Sequence, residues 1–320
     1  MNPPTSRRWL HRFAWLTATL TLLLPVTTGA FVTTLKAGMV FADWPSSDGY
    51  NMLAYPLMSA DRDQFAEHLH RLSGMTIGLF SVALAVFAWL VECGRTAKYL
   101  AVSIFGVVFV QGMLGGARVR LGRETIALLH GDFAAAIFSL MAIFVLVSRD
   151  DWASRKRLKS VAFGRTALAL AIITAVMLCV QYFVGGVLRH LALGWAWNLH
   201  PWFAIAPLAA AFVFAFTVKS SETLLVRRCA MVLLGLVVSQ AMLGLVTWSV
   251  RYGVPSWGIV AVRESISQII VCSLHKVLGM LTLMASVVSV FCVSSVLPKA
   301  TRSETDRSAE FGGPVMGVAT

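Results

Sequence analysis

The chain has 320 residues, of which 58% are hydrophobic and 13% charged, a balance that excludes an ordinary water-soluble domain and marks a polytopic membrane protein. Its formal net charge of +12 raises nucleic acid as a partner, but the cations sit in short loops between apolar runs, where they report membrane topology. The partner expected is therefore a lipid bilayer, with no nucleic acid.

Eight stretches have the length and apolarity of a bilayer-crossing helix, roughly twenty residues each. The first, 12–34, is longer than a signal-peptide core and has no small-residue cleavage site, so it reads as a retained helix. The loop after it, KAGMVFADWPSSDGYNML, sets Trp44 and Pro45 beside Asp43, where they are candidates for a lid over a site or for interfacial anchors. The second span, 67–91, opens on EHLHRLSG. Glu67, His70 and Arg71 are related as i, i+3 and i+4 and share a face, whereas His68 points to nearly the opposite side.

The third span, 97–117, carries Gln111 and the pair Gly115–Gly116 and closes on Arg118; the fourth, 126–147, carries His130. DDWASRKRLKS, 150–160, is the sharpest composition break in the chain. The fifth span, 163–187, repeats the third with Gln181, Gly185–Gly186 and Arg189, and the sixth, 195–218, carries His200. The seventh, 229–249, has Gln240, and the eighth, 267–296, has His275. The tail, 299–320, is polar and then rich in small residues, and reads as disordered.

A cytoplasmic N-terminus places most of the basic residues inside: Arg7, Arg8, Arg12, Arg95, Lys98, the cluster from Arg149 to Arg165, Lys219, Arg227, Arg228, and Lys299, Arg302 and Arg307 of the tail. Fewer fall outside, so both termini are expected in the cytoplasm. The break at 150–160 divides the chain into an N-terminal half, 1–155, and a C-terminal half, 156–298, followed by the tail. The fold class expected is all-α, with eight transmembrane helices arranged as two pseudo-symmetric four-helix bundles. The repeat behind this is an odd-numbered span ending in QxxxG, an outer loop, and an even-numbered span with an early histidine. Small residues in such motifs let helix backbones approach closely. The amides of Gln111, Gln181 and Gln240 must face the bundle, toward another helix or a polar ligand.

His70, His130, His200 and His275 lie in the first turns of spans that start at the same surface, so they share a depth and form two pairs. One neutral imidazole from each of two facing helices supplies both axial ligands of a haem iron. The metal ligands expected are thus His70 with His130 and His200 with His275. If His70 holds iron, Glu67 lies one turn nearer the outer surface on the same side, in reach of a substrate edge or a water; an ion pair with Arg71 or Arg62 is the plainer reading. The cysteines, Cys93, Cys179, Cys229, Cys272 and Cys292, stand singly with no CxxC spacing and read as packing residues.

At these residues the sequence resembles the haem A synthase family, membrane enzymes that convert haem O to haem A for terminal oxidases. The resemblance runs over about residues 15–297 and rests on ExxHR at Glu67, His70 and Arg71, ADWP at 42–45, QGMLGG at 111–116, LLHG at 128–131, NLHP at 198–201 and LHKVLG at 274–279. It implies an oxidoreductase that turns a porphyrin methyl into a formyl group by two successive hydroxylations. Haem b would be the cofactor between His200 and His275, haem O the substrate between His70 and His130, and Glu67 the catalytic carboxylate. Arg71, Arg118, Arg189, Gln111, Gln181 and Gln240 would be propionate or other polar contacts. The partners implied are the enzyme that makes haem O, an electron donor and a recipient oxidase, in the cell (inner) membrane; a homo-oligomer stays open. The sequence departs from many members in having no cysteine pair around ADWP. Two rivals stay open: a di-haem b-type electron-transfer cytochrome, which has no task for Glu67, and a non-catalytic haem carrier.

Overall fold

In hydrocarbon a backbone must satisfy its own hydrogen bonds, and a helix does so within one segment. A computed structural model describes residues 3–297 and, among them, shows eight helices long and apolar enough to cross a membrane. The tail at 299–320, with its three basic residues, lies outside the described residues.

The first span consists of α1 (Pro3–Thr21) and α2 (Thr27–Leu35), joined by a π turn, Leu22–Val26, that contains Pro25. Proline cannot donate to the helix ladder, and around it the hydroxyls of Thr27 and Thr28 add bonds to the carbonyls of Leu22 and Leu24 at 2.8 and 2.7 Å. The second to fifth spans are α3 (Arg62–Leu90), α4 (Arg95–Leu121), α5 (Glu124–Val147) and α6 (Val161–His190). The sixth breaks at Ala204 into α7 (Gly194–Phe203) and α8 (Ile205–Val218), just after Pro201 has removed one N–H from the ladder. The last two are α9 (Leu224–Tyr252) and α10 (Ile266–Ser295).

Several helices run beyond their apolar cores. Hydropathy counts a charged turn as loop, but the backbone stays helical through Arg118 and Arg120 in α4 and through Arg189 in α6. His190 is the last residue of α6. At the start of α3, Asp61 accepts from the N–H groups of Asp63 and Gln64 at 2.9 and 2.8 Å, while the Gln64 side chain accepts from the Asp61 N–H at 3.2 Å. This reciprocal cap, worth about 1 kcal/mol, lets the helix begin well before the apolar run.

One core joins α1, α3, α4 and α5 through Leu10, Ile77, Leu84, Ile104, Met141 and Phe144. A second joins α6, α8, α9 and α10 through Ala171, Phe214, Val226, Leu233 and Leu283, and it also takes in Val26, Ala135 and Phe138 from the first half. Large apolar side chains such as Leu79, Trp89, Phe109 and Phe216 face outward, as contact with lipid requires. The halves meet where α10 packs on α2 and α5, and α5 on α6. At one end of the bundle lies the long segment 36–61, here called the lid. At the other end the linker between the halves is tied to the end of α10: the Leu158 N–H donates to the Val296 carbonyl at 2.8 Å and Arg157 to that of Leu297 at 2.8 Å.

Candidate functional site

Each site histidine sits against a glycine of the preceding odd-numbered span. A Cβ built on Gly29, Gly115, Gly185 or Gly244 would stand 2.8, 3.2, 2.8 or 3.2 Å from Cε1 of His70, His130, His200 or His275 respectively. The missing side chain is therefore the space the imidazole occupies. The glycine before each histidine is a ring seat, not only a point of backbone approach. Its neighbours do similar work: Gly116 receives the Trp44 indole and Gly186 the Leu128 side chain.

So seated, the rings meet in twos. The centroids of His70 and His130 are 6.3 Å apart with planes at 84°, and those of His200 and His275 are 6.3 Å apart with planes at 90°. A metal–imidazole bond is about 2 Å, so two imidazoles on opposite sides of one iron put their centroids roughly 6 Å apart. Both pairs have that separation, and the donor set of two imidazoles is that of a six-coordinate haem. Among the described residues no three His, Cys, Asp or Glu side chains gather as a metal cluster. The residues present thus fit haem iron in both halves.

The three glutamines turn toward the histidines. The Gln111 Nε2 donates to the His130 carbonyl at 3.0 Å, Gln181 to that of His200 at 2.8 Å, and Gln240 to that of His275 at 3.1 Å. His70 has no such amide, because Pro25 stands four residues before its glycine. Its Nδ1 lies 3.1 Å from the Thr28 hydroxyl.

Glu67 is buried, with 3% of its surface exposed, and both of its oxygens are occupied. Oε1 accepts from Arg71 Nη2 and Nε at 2.7 and 3.2 Å, and Oε2 accepts from the N–H groups of Val40 and Phe41 at 2.7 and 3.2 Å. Arg71 Nη1 donates in turn to the carbonyls of Asp43 and Ser46 at 2.9 and 2.8 Å. The ion pair read as the plainer alternative is present, and it fastens the lid to α3. Arg62 does not take part; it pairs with Asp63 and Glu264.

The lid is held at three further points. Trp44 lies on Gly116 of α4. Asp43 accepts from the N–H groups of Asp48 and Gly49 at 2.9 Å each; against some desolvation, the Ser46 side chain and these two N–H groups bring its carboxyl down to about 2. His68 is fully buried, stacks on Tyr55 with centroids 4.5 Å apart, and has its Nδ1 3.0 Å from the Ser47 hydroxyl. Sequence reasoning set His68 aside because it points away from His70. That direction is what lets it carry the lid.

Arg118 and Arg189 are half-buried and make no hydrogen bond or ion pair among the described residues. Arg71, by contrast, is committed to Glu67 and the lid. Two polar residues missed by sequence reasoning lie at the seam between the halves. Lys276 of α10 donates to the Thr34 hydroxyl of α2 at 2.9 Å, and Asp132 of α5 lies against Gly186 of α6. A charge inside an apolar run was the signal available for both.

Comparison with known proteins gives matches to part of the chain. A family model described as "Cytochrome oxidase assembly protein" matches residues 50–207, the stretch that holds Glu67, His70, His130 and His200. The chain is 29% identical over 177 residues to the "Heme A synthase" of Bacillus licheniformis, covering 54% of this chain and 56% of that protein. It is 25% identical over 175 residues to the "Heme A synthase" of Shouchella clausii, covering 53% and 56%, and 25% identical over 143 residues to that of Brucella ovis, covering 42% and 39%. The matches thus span about half the length of these curated relatives, or less. At modest identity, the chain is thus similar to the haem A synthase family over about half of its length.

Proposed function

We propose that the chain is a haem A synthase: a membrane oxidoreductase that binds haem O in its first half and oxidises one ring methyl to a formyl group. The observation that carries this reading is the pair of 6.3 Å histidine couples in a chain whose relatives are named haem A synthases. His70 and His130 would hold the substrate iron, and His200 and His275 a resident haem b. Bound there, haem b supplies a redox-active iron.

The chain's own contribution is placement. The glycine seats set the imidazoles, and the lid, pinned by Glu67 and Arg71, keeps water from the lid end of the first pair. Glu67 is the carboxylate one turn from His70, and we assign it the proton held or released as charge changes at the substrate edge. For that task one oxygen must leave its present donors, so Glu67 is bound at once to the chemistry and to the lid. Arg118 and Arg189, near Glu124 and Asp132 respectively but in no hydrogen bond or ion pair among the described residues, are the cations available for propionates. We place the lid end outside a cell membrane with the chain termini in the cytoplasm, following the bias of the basic residues. The partners in this reading are the enzyme that makes haem O and an electron donor.

The test is to supply haem O to cells expressing the chain and to separate their extracted haems by chromatography. Haem A is the expected product, and its absence from a well-expressed, haem-loaded protein would overturn the reading. The equal geometry of the two pairs favours one rival, a di-haem electron-transfer cytochrome. Two permanently bound haem b groups with no conversion of haem O would select it.

A further inference from the structure

Apart from Arg7 Nε and Thr223 Oγ1, the buried side-chain polar atoms without a hydrogen-bond partner among the described residues gather on the histidine repeat. They include Oε1 of Gln111, Gln181 and Gln240, together with Nδ1 of His130 and His200. Each glutamine already touches its histidine, because its amide nitrogen is anchored on the histidine's own carbonyl. An unpaired amide oxygen and a ring nitrogen without a close partner therefore belong to the same residue pair, in both Gln111–His130 and Gln181–His200, where each ring also faces the backbone carbonyl of that glutamine. In the third pair the Gln240 nitrogen stands 3.1 Å from His275 Nδ1 and 3.4 Å from its Nε2, as the Gln111 nitrogen stands 3.4 Å from His130 Nε2, so each amide must turn for its unpaired oxygen to face Nδ1. A buried acceptor left without a donor is costly unless a bound state supplies one.

His70 shows what the completed arrangement looks like. The Thr28 hydroxyl gives its one proton to the Leu24 carbonyl at 2.7 Å, so it can only accept from His70 Nδ1, 3.1 Å away. Nδ1 then carries the hydrogen, and Nε2 is left as the metal-binding nitrogen. A ligating histidine needs this second contact to fix its tautomer and ring orientation.

We propose that Gln111, Gln181 and Gln240 are positioning residues, whose amide oxygens accept the Nδ1–H of His130, His200 and His275 when Nε2 binds iron, the part Thr28 plays for His70. The proposal rests on the reading of the histidine pairs as haem ligands. It gives the two halves different support: two amides in the second half, one amide and one hydroxyl in the first. It also removes these glutamines from the set of propionate contacts.

The experiment uses purified full-length protein reconstituted with haem b, comparing wild type with Gln240→Leu, Gln181→Leu and Gln240→Glu. The readouts are haem retention, the low-spin bis-imidazole spectrum and the midpoint potential. The leucine variants are expected to bind haem about 10–100-fold more weakly and to titrate at a higher potential. Gln240→Glu keeps an acceptor and strengthens it, so it should hold haem and titrate at a lower potential, which tests the idea even if a leucine variant fails to fold. Unchanged retention and potential in the leucine variants, or an unchanged or raised potential in the glutamate variant, would overturn the proposal. A wild-type protein that shows no bis-imidazole spectrum would instead overturn the haem reading beneath it.

Discussion

Glu67 accepts four hydrogen bonds from two sources, the Arg71 guanidinium and the lid backbone. Replacing it with glutamine keeps an acceptor for the Val40 and Phe41 N–H groups but leaves the buried Arg71 cation without its anion. Breaking a buried pair in this way costs about 3–5 kcal/mol. Glu67→Gln is therefore expected to speed hydrogen exchange at the lid amides as well as to leave haem O unconverted. If the lid exchanges as in wild type, the clamp is not what holds it. Asp43 gives the same segment an acid sensitivity. Its carboxyl is lowered from the ordinary 3.8 to about 2, so its contribution to lid closure is complete above the ordinary value and fades as pH falls toward 2. Asp43→Asn should give a lid whose protection at Asp48 and Gly49, taken relative to the intrinsic exchange rate at each pH, no longer changes across that window and is lower at neutral pH than in wild type.

The four glycine seats belong to helices, and their spacing was only partly legible in the sequence. The step from Gln111 to His130 recurs from Gln181 to His200, which is why three copies of the motif could be read. The fourth, Pro25 to Gly29 with His70, was hidden because a proline inside a π turn stands where the others have glutamine. The glycines themselves were legible as small residues, but only packing shows that a ring, not a backbone, fills the space they leave. Gly185→Ala puts a methyl 2.8 Å from His200 Cε1, closer than real contacts allow, so the ring must shift from its seat. Loss of the second-half haem is expected with the helix content unchanged, checked by absorbance and circular dichroism. Gly244→Ala, at 3.2 Å from His275, should cost less, since the ring need move only a few tenths of an ångström. The ends of the helices were the least legible feature, because a charged turn such as that at Arg118 and Arg120 ends an apolar run without ending the hydrogen-bond ladder.

Across the whole molecule, eight spans and the pairing of histidines followed from hydropathy and spacing, whereas the seam between the halves did not. Lys276 and Thr34 lie far apart in sequence and meet only because α10 crosses to α2. Lys276→Met should weaken the joint, lowering the thermal midpoint of the first-half haem spectrum although the residue stands beside a second-half ligand. We also expect the two halves to superpose by rotation about an axis near the membrane normal, since the repeat relates helices that run in the same direction. An experimental structure in which the halves are inverted would remove the basis of the histidine pairing.

The stitching of the linker to the end of α10 has a consequence for the order in which the molecule is made. Arg155, Arg157 and Leu158 donate to carbonyls at Ser295, Leu297 and Val296, acceptors that leave the ribosome only after four more spans have been synthesised. Until then the segment between the halves is held by Arg7 and Arg8 at Asp150 and by Glu222 at Lys159, but not at its join to α10. The seam is completed late, when α10 arrives to meet α2, α5, α6 and α9 together, so a nascent chain arrested before that helix would have its halves joined only where α5 meets α6.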